Sequence, residues 1–415
     1  MRVGFLFNHD QIHQVAHSLP IALALARTQV DAEIIVATTN PRLTAEVIRL
    51  GGGEIGKSIA IVELALRSRH WRAVAGVVES VVPATKLLIY KESLDFFRTL
   101  DVLVVAEKTS LVLKSQFGLK HLQIIHTRHG AGDRAIGFDK ASALFDHVLV
   151  SGPKIRDRLI LETAVDPSRI SIVGYPKFDV VDSRSPIHPV CDDGRPIVLY
   201  NPHVSPHLSS WYKMGRQVLD WFVDNEDYHV IFAPHVMLFQ RSFVVTVDRL
   251  RIDRPGHIDE RYLRAPNVHI DLGSRASTTM AYTNRADIYL GDVSSQVYEF
   301  LRKPRPCIFL NSQGIDPAGD PNYAHWQSGD VITTVEQLGP ALKNAAARHR
   351  DRFLAVQKRL FDYSFDLSDE PSSLRAARVI ARLIGQDIAP VHHRMAGVPA
   401  SESWPVHASS TVPGK

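Results

Sequence analysis

Residues 284–303, NRADIYLGDVSSQVYEFLRK, read as a short apolar strand running through a polar turn into an amphipathic helix. Ala286, Ile288, Tyr289 and Leu290 make an apolar run too short for a helix and bounded by Gly291, which predicts a buried strand. Asp292 or Ser294 is placed to cap the helix that follows. Val297, Phe300 and Leu301 recur at helical spacing on one face, and Pro304 ends it. Backbone N–H groups, the positive end of the helix dipole and the hydroxyls of Ser294 and Ser295 then meet at the end of a strand, which suits a pyrophosphate. The same residues also fit a capped helix after any strand, so the corner is read with the rest of the chain.

Outward from this corner, apolar strands are expected at 2–8, 33–38, 101–106, 122–126 and 146–151, with helix-length stretches between them, the first a helix from His9 to Ala26. The pattern restarts at 196–200, 228–233, 267–271, 286–290 and 305–310. Strands alternating with helices imply parallel sheets covered on both faces. The fold class expected is therefore α/β, with two tandem Rossmann-like doubly wound domains facing across a cleft. The first spans 1–180, a Pro-, Asp- and Ser-rich linker 181–195, and the second 196–349. Helical patterns over 350–386 are candidates to pack back on the first domain, and 387–415 lacks the periodicity of a packed segment. Such sheets bind ligands beyond the carboxyl ends of their strands.

Composition narrows the function. The 415 residues exceed what one core organises, and 45% hydrophobic with 22% charged residues is the balance of a globular protein. The two cysteines, Cys191 and Cys307, offer neither a disulfide framework nor a thiolate metal set. No apolar run reaches the length of a membrane span, and the N-terminus reads as a strand rather than a signal segment, so a cytoplasmic location is expected. A net charge of +4 suits a phosphorylated substrate or an anionic surface. No basic patch interleaved with aromatics appears, so nucleic acid is not an expected partner.

Four segments that end strands carry the candidate chemistry. His9, His13 and His17, four apart, form a stripe that lines the cleft or lies partly solvated. The stripe could bind metal, but no nearby carboxylate or cysteine completes a tetrahedral set, and no metal or certain cofactor is expected. The stretch 126–139, HTRHGAGDRAIGFD, is a Gly-rich loop presenting His129. A histidine there serves either as a general base, its ordinary pKa of ~6.5 lying near working pH, or as a hydrogen-bonded structural residue. His235 follows a strand and the rigid Pro234, and the opening corner supplies Asp292, Ser294, Ser295 and Glu299.

Taken together, His129-Gly130 with Gly137-Phe138-Asp139, Gly174-Tyr175-Pro176, Pro234-His235 and the run Ala286 to Phe300 resemble the CDP-glycerol glycerophosphotransferases of teichoic acid synthesis, across residues 120–310. The resemblance implies the GT-B fold. It also implies that His129 and His235 are catalytic or phosphate-contacting, and that Gly130, Asp292, Ser294, Ser295 and Glu299 bind the donor. The chain departs from the family pattern at Arg128 before the H-G pair, at Ala131-Gly132-Asp133-Arg134 after it, at Val236 after His235 and at Gly291 before D-x-S-S. The function it implies is transfer of a glycerophosphate or similar polyol phosphate from a CDP-activated donor to a hydroxyl of a membrane-linked glycan or polymer, releasing CMP. Two alternatives stand beside it: a nucleotide-sugar glycosyltransferase, and a non-catalytic nucleotide or polyanion binder. Residues 67–90, with Arg67, Arg69, Trp71 and Arg72 beside a long apolar stretch, fit peripheral contact with the inner membrane face, and equally a core helix pair with a basic end.

Overall fold

The computed structural model describes residues 1–9, 12–66, 84–128, 130–134, 137–180, 193–240, 242–246 and 251–388. The 181–192 part of the expected linker, with Cys191, lies outside the described residues, as do 67–83 of the candidate membrane segment and 389–415.

Successive residues of a strand point to opposite faces, and both faces of each sheet here are apolar, as a parallel sheet between two helical layers requires. In the first domain β1 (Arg2–Phe7), β2 (Glu33–Thr38), β3 (Ile59–Glu63), β4 (Val102–Val105), β5 (Gln123–Thr127), β6 (His147–Val150) and β7 (Ile170–Ile172) pair in parallel, in the order 3-2-1-4-5-6-7. Val3, Phe5 and Phe7 pack into one hydrophobic layer and Leu6, Leu103 and Val105 into the other.

The second domain repeats the plan. A short antiparallel hairpin, β10 (Val244–Thr246) with β11 (Arg251–Asp253), follows its second strand. The sheet itself comprises β8 (Ile197–Asn201), β9 (His229–Phe232), β12 (Val268–Ile270), β13 (Ile288–Gly291), β14 (Cys307–Leu310) and β15 (Asp330–Ile332), in the order 12-9-8-13-14-15. Ile197 and Leu199 face one layer, Val198 and Tyr200 the other. The strand order reverses at β1/β4 and at β8/β13, the crevices where such sheets take ligands. This is the GT-B arrangement: two doubly wound domains in tandem across a cleft.

The helix Ser372–Leu383 packs against the helix Val15–Ala26 of the first domain. Its Ala376, Ala377, Ile380 and Ala381 share one core with Val15, Leu19, Val3 and Phe5. Gln386 reinforces the contact by accepting from Asp31 N–H at 2.8 Å and donating to the Asp31 carbonyl at 3.1 Å. Gly174 of the G-Y-P join holds a left-handed φ of 82°, and a Cβ there would strike the Ser372 hydroxyl, so both conformation and space demand glycine.

Two expectations shift. The first helix begins at Val15, after a single 3₁₀ turn at Ile12–Gln14, so His9, His13 and His17 do not form one helical stripe. The corner helix is one short segment, Gln296–Phe300, with too few aligned peptides to sum a strong dipole. No described helix is long and apolar enough to cross a membrane.

Candidate active site

A cleft of about 550 Å³ opens between the domains at the carboxyl ends of their strands. The first domain contributes Ala106 to Thr109 after β4, His126 and Arg128 at β5, and Gly130, Gly132 and Arg134 of the Gly-rich loop. Facing them are His203 after β8, His235 after β9, and Val293, Ser294 and Ser295 after β13.

The glycines explain how closely the two sides approach. Gly130 has φ 84°, and a Cβ on Gly132 would lie 2.9 Å from the Ser295 Cβ, so any side chain there would push the loop off the corner. Ser294 is buried, its hydroxyl accepting from Gln296 N–H at 3.4 Å, a weak local cap.

Asp292 sits behind this surface. Its carboxylate, 1% exposed, accepts from His203 N–H (2.9 Å), Val293 N–H (2.7 Å), Ser210 N–H (2.6 Å) and Ser210 Oγ (2.9 Å). Burial raises its pKa against the opposing pull of these donors. With both oxygens occupied, Asp292 pins the segment that carries His203 and does not itself line the cleft. Glu299 is also turned inward: its Oε1 accepts from Lys177 Nζ at 2.6 Å and from the Tyr175 hydroxyl at 2.9 Å, tying the corner to the G-Y-P join.

Behind the Gly-rich loop, Asp133 gathers donors from both domains. Lys154 Nζ lies 2.7 Å from Oδ1, the Tyr298 hydroxyl 2.6 Å from Oδ2, and His325 N–H and Nδ1 3.1 and 2.9 Å from Oδ2. Burial would raise the Asp133 pKa, but the Lys154 ammonium and the His325 bonds outweigh it and hold the carboxyl well below its usual range. For Lys154, burial is the larger influence and brings it down to about 8 despite Asp133.

The cleft wall is basic. Lys108 bonds Asp139 at 2.6 Å, and Arg128 donates to the Gly137 carbonyl at 2.6 Å with its guanidinium 4.3 Å from the Phe138 ring centre. Burial and the neighbouring Arg158 lower Arg128 to about 10. Glu107 lies 3.3 Å from His9 Nδ1 and 2.9 Å from Lys86 Nζ; burial works against its charge, but these two partners leave it at about 2. His235 accepts from Met237 N–H at Nδ1 (3.3 Å), and burial, then Arg134, bring its pKa down to about 4. It therefore faces the cleft as a neutral ring.

His235, Gly130, Ser294 and Ser295 are thus brought together, whereas Asp292 and Glu299 stand behind them as supports. His9 contacts Glu107, which lines the cleft, and His17 packs edge-on against Tyr175, with ring centres 5.3 Å apart. His129 lies outside the described residues, as does the His13 side chain. Among the described residues no group of three or more His, Cys, Asp or Glu could hold a metal ion.

Sequence reading gave no role to Arg134 or His203. The signal for His203 is visible in retrospect: neighbouring strands β8 and β9 both run into Pro-His, as Pro202-His203 and Pro234-His235. Their rings lie 5.7 Å apart between centres.

No family model matches the chain, and no curated protein matches it. Solved structures do. The wall teichoic acid polymerase TagF aligns over 93% of this chain and 89% of its own, with 14% identity and a TM-score of 0.59. The UDP-GlcNAc 2-epimerase from Neisseria meningitidis, bound to UDP-GlcNAc, aligns over 92% and 99%, with 12% identity and a TM-score of 0.57. A glycotransferase of kitacinnamycin aligns over 92% and 98%, with 15% identity and a TM-score of 0.53. At these identities the likeness is one of fold.

Proposed function

We propose that the protein transfers a glycerophosphate or similar polyol phosphate from a CDP-activated donor to a hydroxyl of a cell-envelope glycan or lipid-linked polymer. The observation that carries the reading is the approach of the Gly130–Gly132 loop to Ser295, in one basic cleft that also holds Arg134, Ser294 and His235. Phosphoryl transfer needs little covalent chemistry from a protein and much positioning and charge stabilisation. A cleft of arginine, neutral histidine N–H groups and hydroxyls supplies both. The fold shared with TagF, a structure of which was soaked with CDPG, adds support for the choice of donor.

In this reading the acceptor hydroxyl oxygen forms a bond to the phosphorus that bears the polyol. The bond from that phosphorus to the bridging oxygen breaks, and CMP departs with the electron pair. His129 takes the hydroxyl proton. His235 donates from Nε2 to the phosphates, since Nδ1 is already committed to Met237 N–H. The acceptor is reached as a peripheral protein at the inner membrane face.

The test is a donor screen with purified protein and a polyol-phosphate glycan acceptor, following release of CMP, UDP or GDP. CMP from CDP-glycerol or a related CDP-polyol is expected. Release of UDP from a UDP-sugar, with CDP-polyols inert, would move the protein to glycosyl transfer. Donor binding without turnover would leave a binding protein.

A further inference from the structure

The ring of His203 faces two donors and has one lone pair to offer when neutral. Ser205 N–H points at Nδ1 from 2.9 Å, and the direction of that N–H is fixed by the backbone. Nδ1 is therefore the accepting nitrogen and Nε2 carries the proton. Yet Nε2 lies 2.7 Å from Nη1 of Arg134, a group that only donates. Two N–H donors, one from each domain, thus meet head-on with no acceptor between them. The backbone of His203 is held there by the Asp292 carboxylate, and its side chain is 4% exposed.

We propose that Arg134 and His203 form an anion subsite bridging the domains, in which one phosphoryl oxygen accepts from the guanidinium and from the ring Nε2–H together. An anionic oxygen between the two groups turns a donor–donor contact into two charge-assisted hydrogen bonds. His235, whose Nδ1 is likewise occupied by a backbone N–H, brings a second neutral Nε2–H to the same cleft, beside Ser294 and Ser295. Burial, with Arg134, His235 and His207 nearby, keeps the His203 pKa far below its ordinary value, which suits a ring that acts as a neutral donor. The subsite rests on the reading of the cleft as a phosphate-donor site, and adds to it residues outside the motifs that suggested that reading. It also gives the first domain a direct hold on the donor: one oxygen bonded to both groups links the loop of Arg134 to the second-domain strands.

The experiment is calorimetric titration of the full chain with inorganic pyrophosphate, for the unsubstituted protein and for Arg134→Gln, His203→Leu and His203→Gln. Losing a hydrogen bond to a charged group corresponds to about a 10- to 100-fold rise in Kd, expected for Arg134→Gln and His203→Leu. His203→Gln, which keeps an N–H near the position of Nε2, should recover part of the loss. In the unsubstituted protein, nitrogen-15 NMR should find the His203 proton on Nε2, with its signal moving as pyrophosphate is added. Affinity within twofold in folded Arg134→Gln and His203→Leu protein, a proton on Nδ1 in the pyrophosphate complex, or no pyrophosphate binding by the unsubstituted protein would each overturn the subsite. CMP release from CDP-glycerol, measured on the same samples, separates the two levels. Pyrophosphate binding that depends on the pair, without CMP release, keeps the subsite and removes the CDP-polyol reading. CMP release with unchanged KM and kcat in both variants does the reverse.

Discussion

The imidazole of His325 joins the two halves of the site, with Nδ1 2.9 Å from the Asp133 carboxylate and Nε2 2.9 Å from the main-chain carbonyl of Asp292. Both partners are acceptors, and one ring nitrogen faces each. The same Asp292 carbonyl also takes the Trp326 indole N–H at 2.8 Å. One buried ring therefore fixes the Gly-rich loop of the first domain against the Ser294–Ser295 corner of the second. Asp133→Asn should remove the charge that compensates Lys154 in the interior and cost about 3–5 kcal/mol by urea unfolding. Tyr298→Phe, which deletes one hydrogen bond to that carboxylate, should cost less, about 1.5–3 kcal/mol. Equal losses in the two variants would show that the charge of Asp133 is not what matters.

At the corner, Ser294→Ala and Ser295→Ala should raise the donor Kd by the equivalent of about 1.5–3 kcal/mol each, with the fold intact. Glu299→Gln should act in the opposite sense, lowering stability because Lys177 loses its buried partner, while donor affinity in the folded protein stays unchanged. Calorimetric titration paired with thermal unfolding reads both. A donor Kd that rises in the Glu299 variant would return that residue to the binding surface.

The two motif histidines should differ in kind. His129→Ala should lower kcat by roughly 10²–10⁴-fold with donor binding kept, as expected for loss of a general base. His235→Ala should impair binding and turnover together, since its contact exists in ground and transition states alike. Near-normal turnover of folded His129→Ala protein would take the base role away from it.

Much of the fold was legible in the sequence because buried parallel strands are near-continuous apolar runs, as in VGFLF, VLVV and HVIF. The edge strands β7 and β15, three residues each, left no such run, and neither did the hairpin. In the site, residues after strand ends were readable as a class, but direction was not. Asp292 and Glu299 share a motif with Ser294 and Ser295 and point inward, because their carboxylates meet N–H and ammonium donors from segments distant in sequence. Arg134 entered only as a departure from the family pattern and was given no role, because its partner, His203, lies 69 residues away.

Acid stability should report on Glu107. Its folded pKa of about 2 lies below the ordinary 4.5, so the ionised form is favoured by folding. That contribution is complete above pH 4.5 and is lost as pH falls toward 2, and it is worth on the order of 2–3 kcal/mol. Glu107→Gln should flatten the acid limb of a stability–pH curve. An unchanged slope between pH 4.5 and 2 would mean that His9 and Lys86 do not hold the charge.

The helix Ser372–Leu383 completes the core of a sheet whose first strand begins at residue 2. During synthesis the first domain therefore lacks part of its hydrophobic layer until the segment holding Ala376, Ala377, Ile380 and Ala381 has left the ribosome, by which time the second domain has emerged in full. Domains ordinarily mature in the order of their translation. Here the earlier one waits for the later, leaving Val15, Leu19 and their neighbours without their final cover throughout elongation.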